Sequence, residues 1–485
     1  MFISRLTHKN VALCLLGLLW FSLPAMAQEP DRSAPPDLGP PPVLTLPKME
    51  KFTLSNGIPV IYMQKSQVPL IQVNVILRSG RVDDPKSKTG LATLVADMLD
   101  EGAGERDALA LADAIDFLGA NISTSAGHHA TTVSLNCPVS QIEKSLELLS
   151  DIILRPQFPE TELQRLQLER LNQLLQWHDE PNTIATVGFY HSLYGEQHPY
   201  GKTRIGSEKE IRGITVNDIR DFYQRHFISN NAFIVVVGDS DAEDIQTALN
   251  HYFQNWQTGD KPQTDLPQPK NQEPKIILID KPGAPQSVIR IGKIGVSRYT
   301  DDYYALVVMN TLLGGSFTSR LNSNLREEHG YTYGAGSIFF YYTEPGPFLA
   351  YSSVGTDVTA AALTEFKKEI TGITEISRKD LDRAKNYVAL RYPRNFQTAS
   401  QIATELEEWG LYDLPEDYFN TYIQDILSVS KNEVVTSARE TIAWKDMTII
   451  VVGDVNTIKP EIQALNWGEI EVYNISDILG PLPEL

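Results

Sequence analysis

Cysteine is almost missing from this chain. Only Cys14 and Cys137 occur among 485 residues, and Cys14 falls in an N-terminal stretch that reads as a cleavable leader. No internal disulfide is then available, and core burial must supply the stability. Positive charge is short as well: 42 Lys and Arg face 61 Asp and Glu, for a formal net charge of -19. That balance argues against nucleic acid and anionic membrane as partners and at most suits cationic peptides; acidity also keeps an exported protein soluble. The apolar run at residues 11–23 is too short for a span, and no later stretch approaches the ~20 apolar residues of a transmembrane helix. There is no G-x-x-x-x-G-K-[ST] loop and no G-x-S-x-G elbow, and Cys137 has no base close by in sequence. None of the nine histidines has another four positions away, which excludes the usual helical zinc pair.

What is present begins with an address. Arg5 and Lys9, the apolar run and Ala25-Met26-Ala27 before Gln28 have the layout of a secretory signal peptide over residues 1–27, and the expected location is the Gram-negative periplasm. Residues 28–47 form a Pro-rich leader, and the Pro- and Gly-containing stretch 258–274 reads as a linker. It separates an N-terminal domain, 48–257, from a C-terminal domain, 275–470, with residues 471–485 as a tail. With 42% hydrophobic and 21% charged residues, the chain is long enough for two cored domains.

The two domains are alike. A helix opening at Gly213-Ile214-Thr215 leads to the apolar strand Phe233-Ile234-Val235-Val236-Val237-Gly238-Asp239. Roughly 215 positions later a helix opening near Ser428-Val429-Ser430 leads to Ile449-Ile450-Val451-Val452-Gly453-Asp454. Leu70-Ile71-Gln72-Val73 and Gln286-Ser287-Val288-Ile289 fall at nearly the same offset. One offset for separate motifs implies a tandem duplication. The order of elements in each copy predicts an α+β class, antiparallel sheets backed by helices on one face.

Arg326-Glu327-Glu328-His329-Gly330-Tyr331-Thr332-Tyr333 predicts a helix end, a left-handed turn at Gly330 and an aromatic strand that carries Tyr333 near Arg326. A helix-end Arg and a strand Tyr are ordinary structural choices. Preceded by Asn310-Thr311-Leu312-Leu313-Gly314-Gly315-Ser316-Phe317-Thr318-Ser319-Arg320-Leu321, however, the segment resembles the second half of the pitrilysin/insulinase-like zinc metallopeptidases, in particular the short subunits related to mitochondrial processing peptidase. The resemblance covers essentially the whole chain after the leader. It implies two homologous α/β-roll halves, and a substrate-binding role for Arg326 and Tyr333. Gly314-Gly315 reads as a turn that lets this segment approach.

Family members with a zinc site carry H-x-x-E-H in the first half. Aligned on Gly90-Leu91-Ala92 and Met98-Leu99, those positions here are Thr93, Ala96 and Asp97, and the position of the further Glu ligand is Gln173. Thr is a poor zinc donor, Ala cannot act as a base and a neutral amide gives a metal little. A replacement site is hard to find. His191, Glu196 and His198 lie in a stretch that resembles a structural loop of the family, and His128-His129 would point to opposite faces of a strand. His329 reads as a helix-end dipole partner.

The resemblance therefore implies a non-catalytic subunit that binds no cofactor of its own, with zinc on a paralogous partner in a heterodimer that acts on peptides. The alternative is a stand-alone peptide-binding or scaffold protein, and an independent hydrolase built on His191, Glu196 and His198 is the least supported reading.

Overall fold

The computed structural model describes residues 46–269 and 273–484; the signal peptide and most of the Pro-rich leader lie outside them. Runs of β-branched residues form the strands. In the first half these are β1 (Met49–Thr53), β2 (Pro59–Gln64), β3 (Leu70–Leu77), β4 (Asn121–Ala126), β5 (Thr131–Pro138) and β6 (Ala232–Gly238). In the second half they are β7 (Ile276–Asp280), β8 (Gln286–Ile294), β9 (Ala335–Phe339), β10 (Pro347–Gly355), β11 (Thr448–Gly453) and β12 (Ile470–Asn474). Five helices matter for the site: α1 (Leu91–Met98), α2 (Glu160–Trp177), α3 (Pro181–Tyr194), α4 (Tyr303–Leu313) and α5 (Ala399–Leu411).

Each half builds a six-stranded sheet, in the orders β1-β2-β6-β3-β5-β4 and β12-β7-β11-β8-β10-β9. Read this way the two sheets superpose strand for strand, as a duplication requires. The exception is the outer strand: β1 pairs antiparallel with β2, whereas β12 returns from the end of the chain and pairs parallel with β7. Residues 471–474 thus belong to the second domain and not to a tail, since β12 completes the second sheet. Its half-exposed side chains suit an edge position and leave little apolar signal in the sequence. The sheets are mixed rather than purely antiparallel. β2 lies parallel to β6, and β7 parallel to β11, because β6 and β11 arrive after long helical excursions.

Helices cover both faces of each sheet, and the second layer is exchanged between the halves. α3, from the first half, packs on β8 and β11 of the second sheet, while α5, from the second half, packs on β3 and β6 of the first. This explains why β6 and β11 are buried along their whole lengths, as strands with two covered faces must be. Ile184, Ala185 and Phe189 of α3 share a core with Ile279, Val288 and Val452. Ile402, Ala403 and Leu406 of α5 share one with Ile61, Phe233 and Val235. A glycine sits at the closest approach in both places. A Cβ on Gly188 would stand 3.0 Å from Ile279 Cδ1, and one on Gly410 would stand 2.7 Å from Phe233 Cε2. Complete burial of side chains such as Phe189 stabilises the exchange by roughly 1.5–3 kcal/mol each.

Candidate functional site

α1 carries Thr93, Ala96 and Asp97. Gly90 precedes it at φ 86°, with a hypothetical Cβ only 2.7 Å from the Ile205 backbone, so the position accepts glycine alone. The Asp84 carboxylate caps the helix by accepting from the Gly90 and Ala92 N–H groups, both at 2.7 Å. Burial pushes that carboxyl up to about 7, against the opposing pull of the two N–H groups. Leu91, Leu94, Val95 and Met98 face the core, and Ala96 is completely buried. Thr93 and Asp97, one turn apart, face α2 instead.

Between them stands the guanidinium of Arg170. It donates to the Gly90 carbonyl at 2.7 Å, to Thr93 Oγ1 at 3.0 Å and to Asp97 Oδ2 at 2.7 Å. The Thr93 hydroxyl in turn donates to the Arg204 carbonyl at 2.8 Å. The side chain of Arg170 is 6% exposed. Burial lowers its pKa, and Asp97 opposes that shift. Thr93 and Asp97 are therefore already bonded to a fixed cation, and zinc does not fit a site organised to hold a guanidinium. Arg170 was not singled out from the sequence, although a signal existed. Leu163, Leu166 and Leu174 mark the buried stripe of α2, and Arg170 occupies that same stripe at i+4 from Leu166 and i−4 from Leu174.

Gln173, one turn beyond Arg170, lines two cavities. The smaller, about 450 Å³, lies over Thr93, Asp97 and Arg170 and is walled by Thr124 and Ser125 of β4. The larger, about 670 Å³, extends toward the second half and reaches Tyr342. Arg81 and Arg204 border both. On its outer side β4 has no strand partner among the described residues, so a free sheet edge runs beside the smaller cavity.

The histidines singled out in the sequence form no metal cluster among the described residues. His198 accepts from the Tyr200 N–H through Nδ1 and places Nε2 2.9 Å from the Pro267 carbonyl, while His191 lies 3.6 Å from Glu196. The three do not converge. His128 and His129 sit in the turn between β4 and β5, not on a strand. Nε2 of His129 meets the Tyr200 hydroxyl at 2.8 Å. His329 stands 3.7 Å from Glu365 and stacks on Tyr331. Cys137 is buried in β5, and burial pushes its thiol up to about 11.

In the second half α4 ends at Gly314, where a Cβ would fall 2.2 Å from the Ser337 amide; the glycine lets β9 pass. The chain then forms a short helical turn at Arg320–Asn322 and a π-type turn at Ser323–Glu328, a widening that often accompanies function. Leu321 and Leu325 are buried, and Asn324 donates to Glu365 and Glu369 at 2.7 and 2.8 Å. Arg326 lies with its guanidinium 4.7 Å from the Phe317 ring centre. Gly330 takes the expected left-handed φ of 67°.

Tyr333 is not on a strand. It lies in a bend before β9, because the preceding backbone bonds back to the helix end, with the Tyr331 N–H on the Leu325 carbonyl at 2.9 Å. Tyr333 is 94% exposed. Neither it nor Arg326 lines the two cavities around Gln173.

A family model described as insulinase (peptidase family M16) matches residues 60–199, and one described as the peptidase M16 inactive domain matches residues 213–388. The chain is 24% identical to an uncharacterized zinc protease of Rickettsia felis, over 81% of this chain and 95% of that one. It is 21% identical to the non-peptidase homolog YmxG of Helicobacter pylori, over 82% and 92%. A solved structure from Pseudomonas fluorescens, described as a peptidase M16 inactive domain, aligns with a TM-score of 0.79 at 24% identity, covering 84% of this chain and 98% of that one. On these matches the chain belongs to the insulinase-like M16 metallopeptidase family and is of its non-catalytic type.

Proposed function

We propose that this chain is the substrate-binding, non-catalytic subunit of an exported heteromeric zinc metallopeptidase, supplying Arg326 and Tyr333 to an active site whose zinc is bound by a paralogous partner. The observation that carries the reading is the contrast between the two halves. The metal position is closed by the Arg170–Asp97 ion pair, whereas Tyr333 is almost fully exposed and Arg326 rests on Phe317 in a segment fixed by buried asparagines. Arg326 carries a permanent charge that can hold a peptide carbonyl, and the Tyr333 phenol can donate to an oxyanion forming beside a metal. Export to the periplasm belongs to the proposal and rests on residues 1–27.

The test is co-expression with a paralogue that retains H-x-x-E-H. The pair should cleave peptides, and the chain alone should neither cleave nor retain stoichiometric zinc after dialysis. Chelator-sensitive peptide hydrolysis by the isolated chain would refute the proposal. A second reading, a peptide-binding protein without a catalytic partner, is favoured by the free edge of β4 beside a cavity, since an extended peptide can add to such an edge. Peptide binding with no dependence on a paralogue, and no cleavage with one, would favour it.

A further inference from the structure

The larger cavity is basic, in a chain of net charge -19. Arg81, Lys202 and Arg204 line it, against the single carboxylate of Glu180. Their partners among the described residues are not carboxylates. Arg81 donates to the Lys202 carbonyl at 3.4 Å, the Lys202 ammonium to the Lys86 carbonyl at 2.9 Å, and Arg204 lies 6.0 Å over the Trp177 ring. Three cations without a carboxylate hydrogen bond therefore line one half-open volume of about 670 Å³, with the buried Asp84 carboxyl near Arg81 and Lys202.

A fourth group is left without a partner. His128 lines the same cavity, packed between Tyr200 and Tyr342 at 5.0 and 4.6 Å, and its Nδ1 is buried with no hydrogen bond. Burial and the nearby Arg81 charge keep this imidazole neutral at ordinary pH. A neutral ring with its proton on Nδ1 still has one N–H to donate, and buried polar atoms of this kind usually have a partner.

The cavity is also placed at the end of a track. Arg81, Gln173 and Arg204 border both cavities, and the smaller one is walled by Thr124 and Ser125 on the free edge of β4. A peptide added to that edge would run past Asp97 and Arg170 toward Arg81 and Arg204.

We infer that the larger cavity is a subsite for the carboxylate end of an extended peptide, held by Arg81, Arg204 and Lys202 beside the His128 ring. The inference rests on the peptide-holding function proposed above, and a carboxylate is the anion that a peptide carries without modification. Two sources share this chemistry, the terminal α-carboxylate and an acidic side chain near the terminus. Arginine forks match either one.

The experiment is fluorescence anisotropy of the full chain with three labelled decapeptides of alanine, valine and threonine. One has a free C-terminus, the second is its C-terminal amide, and the third is an amide with glutamate as its last residue. The free acid should bind about 10- to 100-fold more tightly than the plain amide, the range expected for charge-assisted hydrogen bonds. Arg204→Gln, at an exposed and structurally tolerant position, should remove that difference. Tight binding of the glutamate amide would make any carboxylate near the terminus sufficient, and weak binding would confine the subsite to the α-carboxylate. Equal affinity for acid and plain amide overturns the subsite and leaves the peptide-holding function standing. Failure of all three to bind overturns both the subsite and the reading as a peptide-binding protein without a partner.

Discussion

Replacing Arg170 with alanine tests whether a guanidinium has structurally taken over the metal position. The wild-type side chain is 6% exposed and makes three hydrogen bonds, one of them to the Asp97 carboxylate at 2.7 Å. Breaking a fully buried ion pair costs about 3–5 kcal/mol. The Asp97 side chain is 45% exposed, so water can solvate it once the partner is gone, and the expected loss falls to about 2–3 kcal/mol. Asp97→Ala leaves the buried cation with the Gly90 carbonyl and the Thr93 hydroxyl, and should cost roughly 1–2 kcal/mol. Because both changes sever the same bond, the double variant should be less destabilised than the sum, with a coupling of about 1–2 kcal/mol. Urea unfolding followed by tryptophan fluorescence measures all three. The melting temperature of the Arg170 variant should fall by roughly 3–6 °C. The loss should persist in 0.5 M salt, since burial shields the pair from screening. A coupling below about 0.5 kcal/mol, or a loss that vanishes in salt, would refute a buried Arg170–Asp97 pair as what holds this position together.

The combined variant T93H/A96E/D97H/Q173E should retain no stoichiometric zinc after dialysis while Arg170 stands, as read by atomic absorption; uptake with Arg170 intact would mean that the guanidinium does not exclude the metal. Gly410→Ala should destabilise by about 1–2 kcal/mol because its Cβ meets the Phe233 ring at 2.7 Å, while Gly188→Ala should be nearly neutral, its contact being the movable Ile279 Cδ1 and its helix propensity improved by about 1 kcal/mol. Glu405 on α5 is pushed up to about 7 by burial and by Glu408, against Asn395 and Arg298. Between the ordinary carboxyl range and about 7 the folded state then binds more protons than the unfolded one, so stability should fall as pH rises through that window and level off above it. Glu405→Gln should flatten that slope in thermal melts taken from pH 5 to 8. Tyr333→Phe and Arg326→Ala should leave melting within about 0.5 kcal/mol of wild type, because both side chains reach solvent, yet lower turnover of the proposed heteromer by about 100-fold without dissociating it.

The parts of the fold readable in the sequence are those that local chemistry determines. Uninterrupted Val and Ile runs marked β6 and β11, one offset marked the duplication, and Gly330 marked a left-handed turn, all of which the structure contains. The exchange of α3 and α5 was hidden because an apolar helix face does not say which sheet it covers; the glycines at 188 and 410 acquire meaning only once the opposing side chains are known. β12 escaped notice because an edge strand needs few apolar residues. Tyr333 was placed on a strand by its propensity, and tertiary bonding to the helix end overrode that propensity. At the site, Thr93, Asp97 and Gln173 stood out in the sequence, but the Arg170 that bonds Thr93 and Asp97 was visible only as a charged residue out of place in the apolar stripe of α2.

That replacement explains how the metal chemistry can be absent while the architecture persists. Leu91, Leu94, Val95 and Met98 make α1 a wall of the first core whatever stands at 93 and 97. The second face of the first sheet is covered by α5, from the other half. Neither contact passes through the metal position, so losing the ligands removes no packing. What it leaves is an electrostatic problem: an aspartate and a helix-start carbonyl pointing at a cavity, with nothing positive between them. Arg170 solves it with a permanent charge and a planar fork that reaches Gly90, Thr93 and Asp97 together. Lysine at 170 would deliver a single point charge from a flexible stem and could not engage the three at once. Arg170→Lys should therefore recover only part of the stability lost in Arg170→Ala. Full recovery would mean that position 170 needs charge alone, and that the geometry of the fork is incidental.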